Sequence, residues 1–387
     1  MSLEFSTDDS WLIQSTTIQV VNPKALMMMR RSSPSGPMKL LTSAINGSIA
    51  VTVASTAWKL IPQRGVPFPI EIKWLRAHRP RLRSCPTARF GRNSALSMTK
   101  PTVLTLGHSP DPDDAFMFYA LAEHKIPTGD WEFEHILQDI QTLNERATRG
   151  ELHISAISIH AYAHVLDKYA LLPTGASMGD GYGPMIIARH DTAAPPAGDL
   201  EAIRAWVRER TIAVPGKMTS AFLALQLFLG ETPKSAVVPF DEIFAFVQSG
   251  GADAGLIIHE GQLTYAHEGF QKIVDLGEWW KADTGLPLPL GGNVIRKDLP
   301  PAERSEINCI LRESIRHGLE HRAAGVAHAM PLARGMDETL ADKFIGMYVN
   351  DYTLDYGDSG RAAIREFLGR GHRGGFLPEP VELEFVS

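Results

Sequence analysis

The segment GLIIHE at 255–260 carries an apolar run straight into an imidazole and a carboxylate, His259 and Glu260. Imidazole gains and loses a proton near neutral pH, so a histidine leaving the end of a buried strand can serve as a general base. The same placement also suits a structural histidine held by hydrogen bonds. A zinc-protease reading fails, because Gln262 and Leu263 follow and the HExxH spacing is absent.

Three other junctions bring small polar residues to the ends of apolar runs. In SAISIHAY (155–162), Ser158 can offer a hydroxyl and a backbone N–H at a helix start, which suits a carboxylate; a plain helix cap explains it equally well. Its neighbours Ala156 and Ile157 belong to the same rim. His160 and His164 share a helical face, but no third ligand stands at a metal-binding spacing. In VPGKMTSA (214–221) a phosphate loop is excluded, because Thr211 stands where the motif needs glycine. What remains is a Pro-Gly turn with Thr219 and Ser220 opening an apolar helix, a seat for a small anion or polyol. In GHSPDPDDAF (107–116), Ser109 is a second hydroxyl candidate, while Asp113 or Asp114 can cap a helix starting near Ala115.

The elements that must position these residues alternate in kind, the sequence form of an α/β fold with largely parallel sheets. Strands are expected at 103–106, 131–134, 154–157, 185–188, 211–214, 254–257, 273–276 and 293–296. Helices are expected at 115–123, 140–148, 200–209, 220–228, 241–248, 302–322 and 338–349. Ligands of such folds sit at the carboxyl ends of strands, where all four junctions lie. Two breaks, the Pro/Ala-rich Asp191–Gly198 and Gly291–Gly292, predict two lobes: 101–189 with 291–387, and 190–290, with a cleft between them.

Composition limits the partners. Residues 1–97 hold 13 Lys/Arg and 4 Asp/Glu, whereas the rest holds 25 and 40, so the body is strongly acidic and nucleic acid is not expected. No apolar run is long enough for a membrane helix, so no membrane partner is expected. Cys85 and Cys309 make neither a disulfide framework nor a metal spacing. Residues 1–97 read as an extension without a domain, with Met98 the expected natural start. Met38–Ala57 has a loosely signal-like form that Asn46 and Ser48 interrupt.

Longer stretches carry a resemblance. GELHISAISIHAYAHVLDKYALLPTGASMG (150–179), IAVPGKMTSAFLALQLF (212–228), DAGLIIHEGQLTY (253–265) and IVDLGEWWKADTGLPLPLGG (273–292) resemble the 1,4-dihydroxy-6-naphthoate synthase branch of the menaquinone enzymes. The resemblance spans 102–387. It implies a two-lobed α/β fold of the periplasmic-binding-protein type II class and a cytoplasmic lyase that needs no cofactor or metal. Such enzymes take cyclic dehypoxanthinyl futalosine and release 1,4-dihydroxy-6-naphthoate and a three-carbon fragment. The resemblance also implies His259 as proton acceptor and Ser158, Thr219 and Ser220 as substrate contacts.

Two departures bear on the substrate. The first loop reads SPDPDDAF where the family pattern is nearer SPCPNDTF, and Ala156 stands where some members carry lysine. Added carboxylates and a missing cation predict weaker binding of an anion. Two other functions remain in play, a non-catalytic solute-binding protein and a chorismate-dehydratase-like enzyme on the same scaffold.

Overall fold

The computed structural model describes residues 101–386 and, before them, only the strands β1 (Thr16–Val20), β2 (Leu40–Ile45) and β3 (Ser48–Val53). These form an antiparallel sheet of order β1-β3-β2. The signal-like stretch Met38–Ala57 therefore contains a strand pair, and Asn-Gly between two β-rich runs is a hairpin signal. The rest of the expected domainless extension lies outside the described residues.

The body begins with β4 (Thr102–His108), α1 (Pro112–Ala122), β5 (Trp131–Leu137), α2 (Ile140–Thr148), β6 (Ile154–Ser158), α3 (Ile159–Tyr162), β7 (Tyr169–Leu171) and β8 (Ser177–Gly179). A second group follows: β9 (Met185–Arg189), α4 (Leu200–Arg208), β10 (Ile212–Val214), α5 (Ser220–Leu229), β11 (Ser235–Val237), α6 (Ile243–Gln248), β12 (Ala254–Ile257), α7 (Gly261–Thr264), β13 (Phe270–Asp275) and α8 (Leu276–Thr284). The chain then returns as β14 (Leu288–Arg296) and ends in α9 (Pro301–Glu320), α10 (Arg322–Ala329), α11 (Glu338–Tyr348), α12 (Asp351–Leu354) and α13 (Gly357–Arg373).

The first sheet has the order β5-β4-β6-β14-β7, with β8 also on β14, and the second has the order β11-β10-β12-β9-β13. Both are mixed rather than largely parallel. β4 runs parallel to β5 and β6, and β10 parallel to β11 and β12, but β14 and β9 oppose their neighbours. The physical reason lies in the crossings. A strand that enters a lobe from the cleft must run away from it, against strands that deliver their carboxyl ends there.

The crossings also move the lobe boundaries. β9 pairs with β12 and β13, so the first crossing lies between Gly179 and Met185, before the expected break at Asp191–Gly198. That Pro/Ala-rich stretch only joins β9 to α4. The return lies between Thr284 and Leu288, and Gly291–Gly292 sits inside β14.

Local chemistry sets the helix ends. Asp139, Asp199, Thr219 and Asp275 each cap a helix by accepting a backbone N–H from its first turn. Helix α1 starts at Pro112 after Asp111 instead of near Ala115, since proline is favoured at the first helical position. Asp113 and Asp114 thus lie within its first turn. Ile157, Tyr162, Ile186, Val214, Phe228, Trp280 and Phe367 belong to one buried cluster that draws on both sheets, and Trp280 meets the edge of Phe367 at 5.5 Å. A separate core beneath the first sheet joins Leu104, Leu106, Phe116, Leu311 and Ile345. Among the described residues, no helix is long and apolar enough to cross a membrane.

Candidate functional site

The carboxyl ends of β4, β6, β10 and β12 meet at one cavity of about 800 Å³, its open mouth included. Ser109, Ala156, Ile157, Ser158, Thr219 and Ser220 all line it, as do Ile258, Gly291, Gly292, Asn293, Phe344 and Tyr348. Each junction expected from the sequence therefore reaches this place.

The hydroxyls are not equally free. Ser158 begins α3 without capping it: its N–H donates to Asn144 Oδ1 at 2.8 Å, and its Oγ accepts from Asn144 Nδ2 at 3.0 Å. The expected use of that N–H for a carboxylate is thus corrected, and the hydroxyl proton is what Ser158 can offer. Thr219 caps α5, accepting from Phe222 N–H at 3.2 Å and donating to Gly216 O at 2.8 Å. Ser220 Oγ donates to Leu290 O at 2.5 Å and accepts from His160 N–H at 3.1 Å. Ser220 thereby joins the second lobe to β14 and α3 of the first. Ser109 Oγ donates to Asp111 at 2.5 Å, and Ser109 N–H donates to Asp114 at 2.7 Å.

His259 departs from the expected orientation. It is not among the residues lining the cavity, and its ring is 7% exposed. Nε2 lies 3.0 Å from Phe240 O, and Nδ1 accepts the Gly261 N–H at 2.9 Å. A carbonyl only accepts, so Nε2 carries the proton and Nδ1 holds the lone pair. That lone pair is occupied by Gly261, and the edges of Phe240 and Phe244 enclose the ring at 5.5 and 5.9 Å. In this conformation the imidazole has no free site for a substrate proton. The turn after a strand end can fold back on its own histidine, which residue order does not reveal.

Contacts across the cleft hold the lobes together. Arg334 Nη1 reaches Asp111 at 2.7 Å and Glu260 at 3.3 Å, and Tyr348 OH donates to Gln262 at 2.5 Å. Met218 N–H donates to Gln141 at 3.2 Å, and His160 Nδ1 donates to Thr219 O at 3.1 Å. Burial drives the His160 imidazole down to about 4, so it is neutral at physiological pH. The His160 and His164 rings lie 5.7 Å apart, and no group of three His, Cys, Asp or Glu among the described residues is placed to hold a metal.

The acidic loop is the most perturbed part of the site. Asp111, Asp113 and Asp114 line the cavity, and among the described residues no Lys or Arg does. Burial raises Asp114 to about 7, against the pull of the Ser109 N–H. Burial, then the charges of Asp114 and Asp111, raise Asp113 well above the ordinary carboxylate range. Burial likewise raises the Tyr348 hydroxyl. Sequence reasoning missed Asn144, Asn293 and Tyr348 as site residues, because each comes from an element whose placement depends on the fold. It named Asp113 and Asp114 only as caps.

The profile described as menaquinone biosynthesis matches residues 104–373. The 1,4-dihydroxy-6-naphtoate synthase of Streptomyces coelicolor is 38% identical over 280 residues, covering 71% of this chain and 95% of that protein. The enzyme of the same name from Thermus thermophilus is 37% identical over 282 residues, covering 72% and 98%. Among solved structures, protein AF1704 of Archaeoglobus fulgidus is 40% identical with a TM-score of 0.65, covering 71% of this chain and 98% of its own. The alkanesulfonate-binding protein SsuA of Xanthomonas axonopodis pv. citri, bound to MOPS, shares the fold at 13% identity and a TM-score of 0.55, covering 73% and 96%. Profile, relatives and cleft agree: the chain belongs to the menaquinone biosynthesis family, and its fold is that of the periplasmic binding proteins.

Proposed function

We propose that the chain is a cytoplasmic carbon–carbon lyase that converts cyclic dehypoxanthinyl futalosine to 1,4-dihydroxy-6-naphthoate. The observation that carries this reading is the similarity to two naphthoate synthases over at least 95% of their length. A cleft whose four polar strand ends meet at one cavity supports it. The Ser158 hydroxyl and the start of α5 at Thr219 and Ser220 would hold the oxygen atoms of the substrate. Ser109, Ala156 and Ile157 would complete the contact surface.

The proton-removing group in this reading is His259. Its Nδ1 must first leave the Gly261 N–H, so the turn at 258–262 is the part that re-aims the ring when substrate enters. Proton removal then leaves an electron pair on the substrate, and its collapse breaks the carbon–carbon bond. Aromatisation of the product ring favours the forward direction. Water is kept out by closed lobes.

The enclosed imidazole is also what a non-catalytic solute-binding protein would show. Incubating the purified protein with cyclic dehypoxanthinyl futalosine decides between the two, with naphthoate formation expected. His259→Ala is expected to lower kcat by about 10²–10⁴-fold. Wild-type kcat in that variant would remove His259 from the chemistry, and tight binding without turnover in the wild type would favour the solute-binding reading.

A further inference from the structure

We propose that the Asp113 carboxyl group donates a hydrogen bond from the cavity wall to an oxygen atom of the bound ligand. The inference deepens the proposed function, since it names how an acidic pocket holds an oxygen-rich ligand. Asp113 lines the cavity beside Asp111 and Asp114, and the guanidinium of Arg334 is spent on Asp111 and Glu260. Asp111 already accepts from Ser109 Oγ, and Asp114 accepts from Ser109 N–H. Asp113 has neither partner.

The carboxyl groups beside it share its sign, while the backbone N–H groups of Asp113 and Asp114 pull its carboxyl the other way. Its own loop presents Asp111 and Asp114, and α11 presents Tyr348. Helices α9 and α10 present His317 and His328 to Tyr119 of α1, and α10 also sets Arg322 over Phe116, its guanidinium donating to Asp342. Asp114 is buried and Asp111 and Asp113 are half-buried, and neighbouring carboxyl groups so placed resist ionising together, because each charge loses hydration and repels the next. Burial and these neighbours raise Asp113 accordingly. A carboxylic acid is a donor, whereas a carboxylate only accepts.

An independent observation marks the same cavity as a place for acceptor atoms. Asn293, 1% exposed, lines it, and its Nδ2 has no hydrogen-bond partner among the described residues. A buried amide donor without a partner costs free energy that an incoming oxygen atom can recover. A neutral acid and a neutral amide both donate to the oxygen atoms of a ligand, and the acid loses that ability when it ionises.

The test has two readouts. In the first, thermal melts of wild type and Asp113→Asn are followed from pH 4 to pH 8, with no ligand. An unfolded aspartate ionises near 3.9 while the folded one stays protonated, so the contribution of Asp113 to stability falls as pH rises through this window. The melting gap in favour of Asp113→Asn is therefore expected to widen with pH, and a gap independent of pH overturns the protonated state. In the second, KM for cyclic dehypoxanthinyl futalosine is measured against pH. Wild-type KM is expected to climb as Asp113 ionises. Asp113→Asn is expected to lack that climb, and Asp113→Ala to raise KM about 10–100-fold at every pH. Identical pH profiles of KM in wild type and Asp113→Asn overturn the donor role. Absence of any turnover by the wild type strikes at the proposed function, and the ligand-free melts still decide the state of Asp113.

Discussion

Gly175 shows how closely the cavity is built around single atoms. Its φ is +84°, a left-handed conformation that costs an L side chain, and a Cβ placed on it would lie 1.9 Å from Asn293 Nδ2. Backbone strain and overpacking act together in Gly175→Ala, so a loss of about 2–4 kcal/mol is expected. Because the displaced group is the unpartnered amide, KM should rise as well. Denaturant unfolding together with substrate kinetics checks this, and unchanged stability would mean that the amide moves aside without cost. Residue-scale legibility was uneven. Ser158 is readable as a polar residue at a strand end, but its N–H goes to Asn144, a residue of α2 brought in by packing. His259 is readable for the same reason, yet the Phe240 carbonyl and Gly261 N–H that fix its tautomer are matters of turn geometry.

Among the elements, α5 joins stability to the site. Nearly all its residues are buried, so it is a core helix whose first turn opens on the cavity. Thr219 caps it, and Gly230 ends it in a left-handed conformation. Thr219→Ala is expected to cost about 1 kcal/mol through the lost cap, and Thr219→Ser to restore most of it. Chemical denaturation of the two variants measures the difference, and equal stability would show that the cap contributes nothing. The element pattern was largely legible, since α2 spans Ile140–Thr148 and β12 spans Ala254–Ile257 as expected. Short elements such as β7, β8, β11, α3 and α7 were not, because three to four residues hold too little periodicity. Helix α13 escaped for another reason: GDSGRAAIREFLGRGHR carries four glycines, and it is packing of Ile364 and Phe367 that stabilises it.

For the molecule as a whole, the cleft is closed by a small set of polar contacts. Arg334 bridges Asp111 and Glu260 and lies 4.7 Å over the Phe240 ring, and Tyr348 reaches Gln262. A half-exposed arginine network of this kind is worth about 1 kcal/mol. Arg334→Met should therefore raise the open population several-fold. Small-angle scattering of the ligand-free variant is expected to show a larger radius of gyration, with a higher KM for substrate. Identical scattering curves for variant and wild type would show that the lobes are held by other contacts. The closure also bears on His259. Glu260, next to it, is the residue that Arg334 holds, so this contact ties the turn whose Gly261 N–H occupies Nδ1 to the first lobe.

The order of apolar and polar residues by itself determined an α/β chain, two lobes and four polar strand ends, because hydrophobic periodicity and turn chemistry are local properties. It also carried the family, through long ordered matches. Tertiary structure alone decided where the lobes divide, since the crossing strands β9 and β14 are known only by the strands they oppose. It decided that Asn293 meets the cavity unpartnered and that His259 is turned into its own loop. It likewise turned Asp111, Asp113 and Asp114 toward a cavity that no Lys or Arg among the described residues lines, and the burial that raises Asp113 is a property of the packed fold and not of the segment.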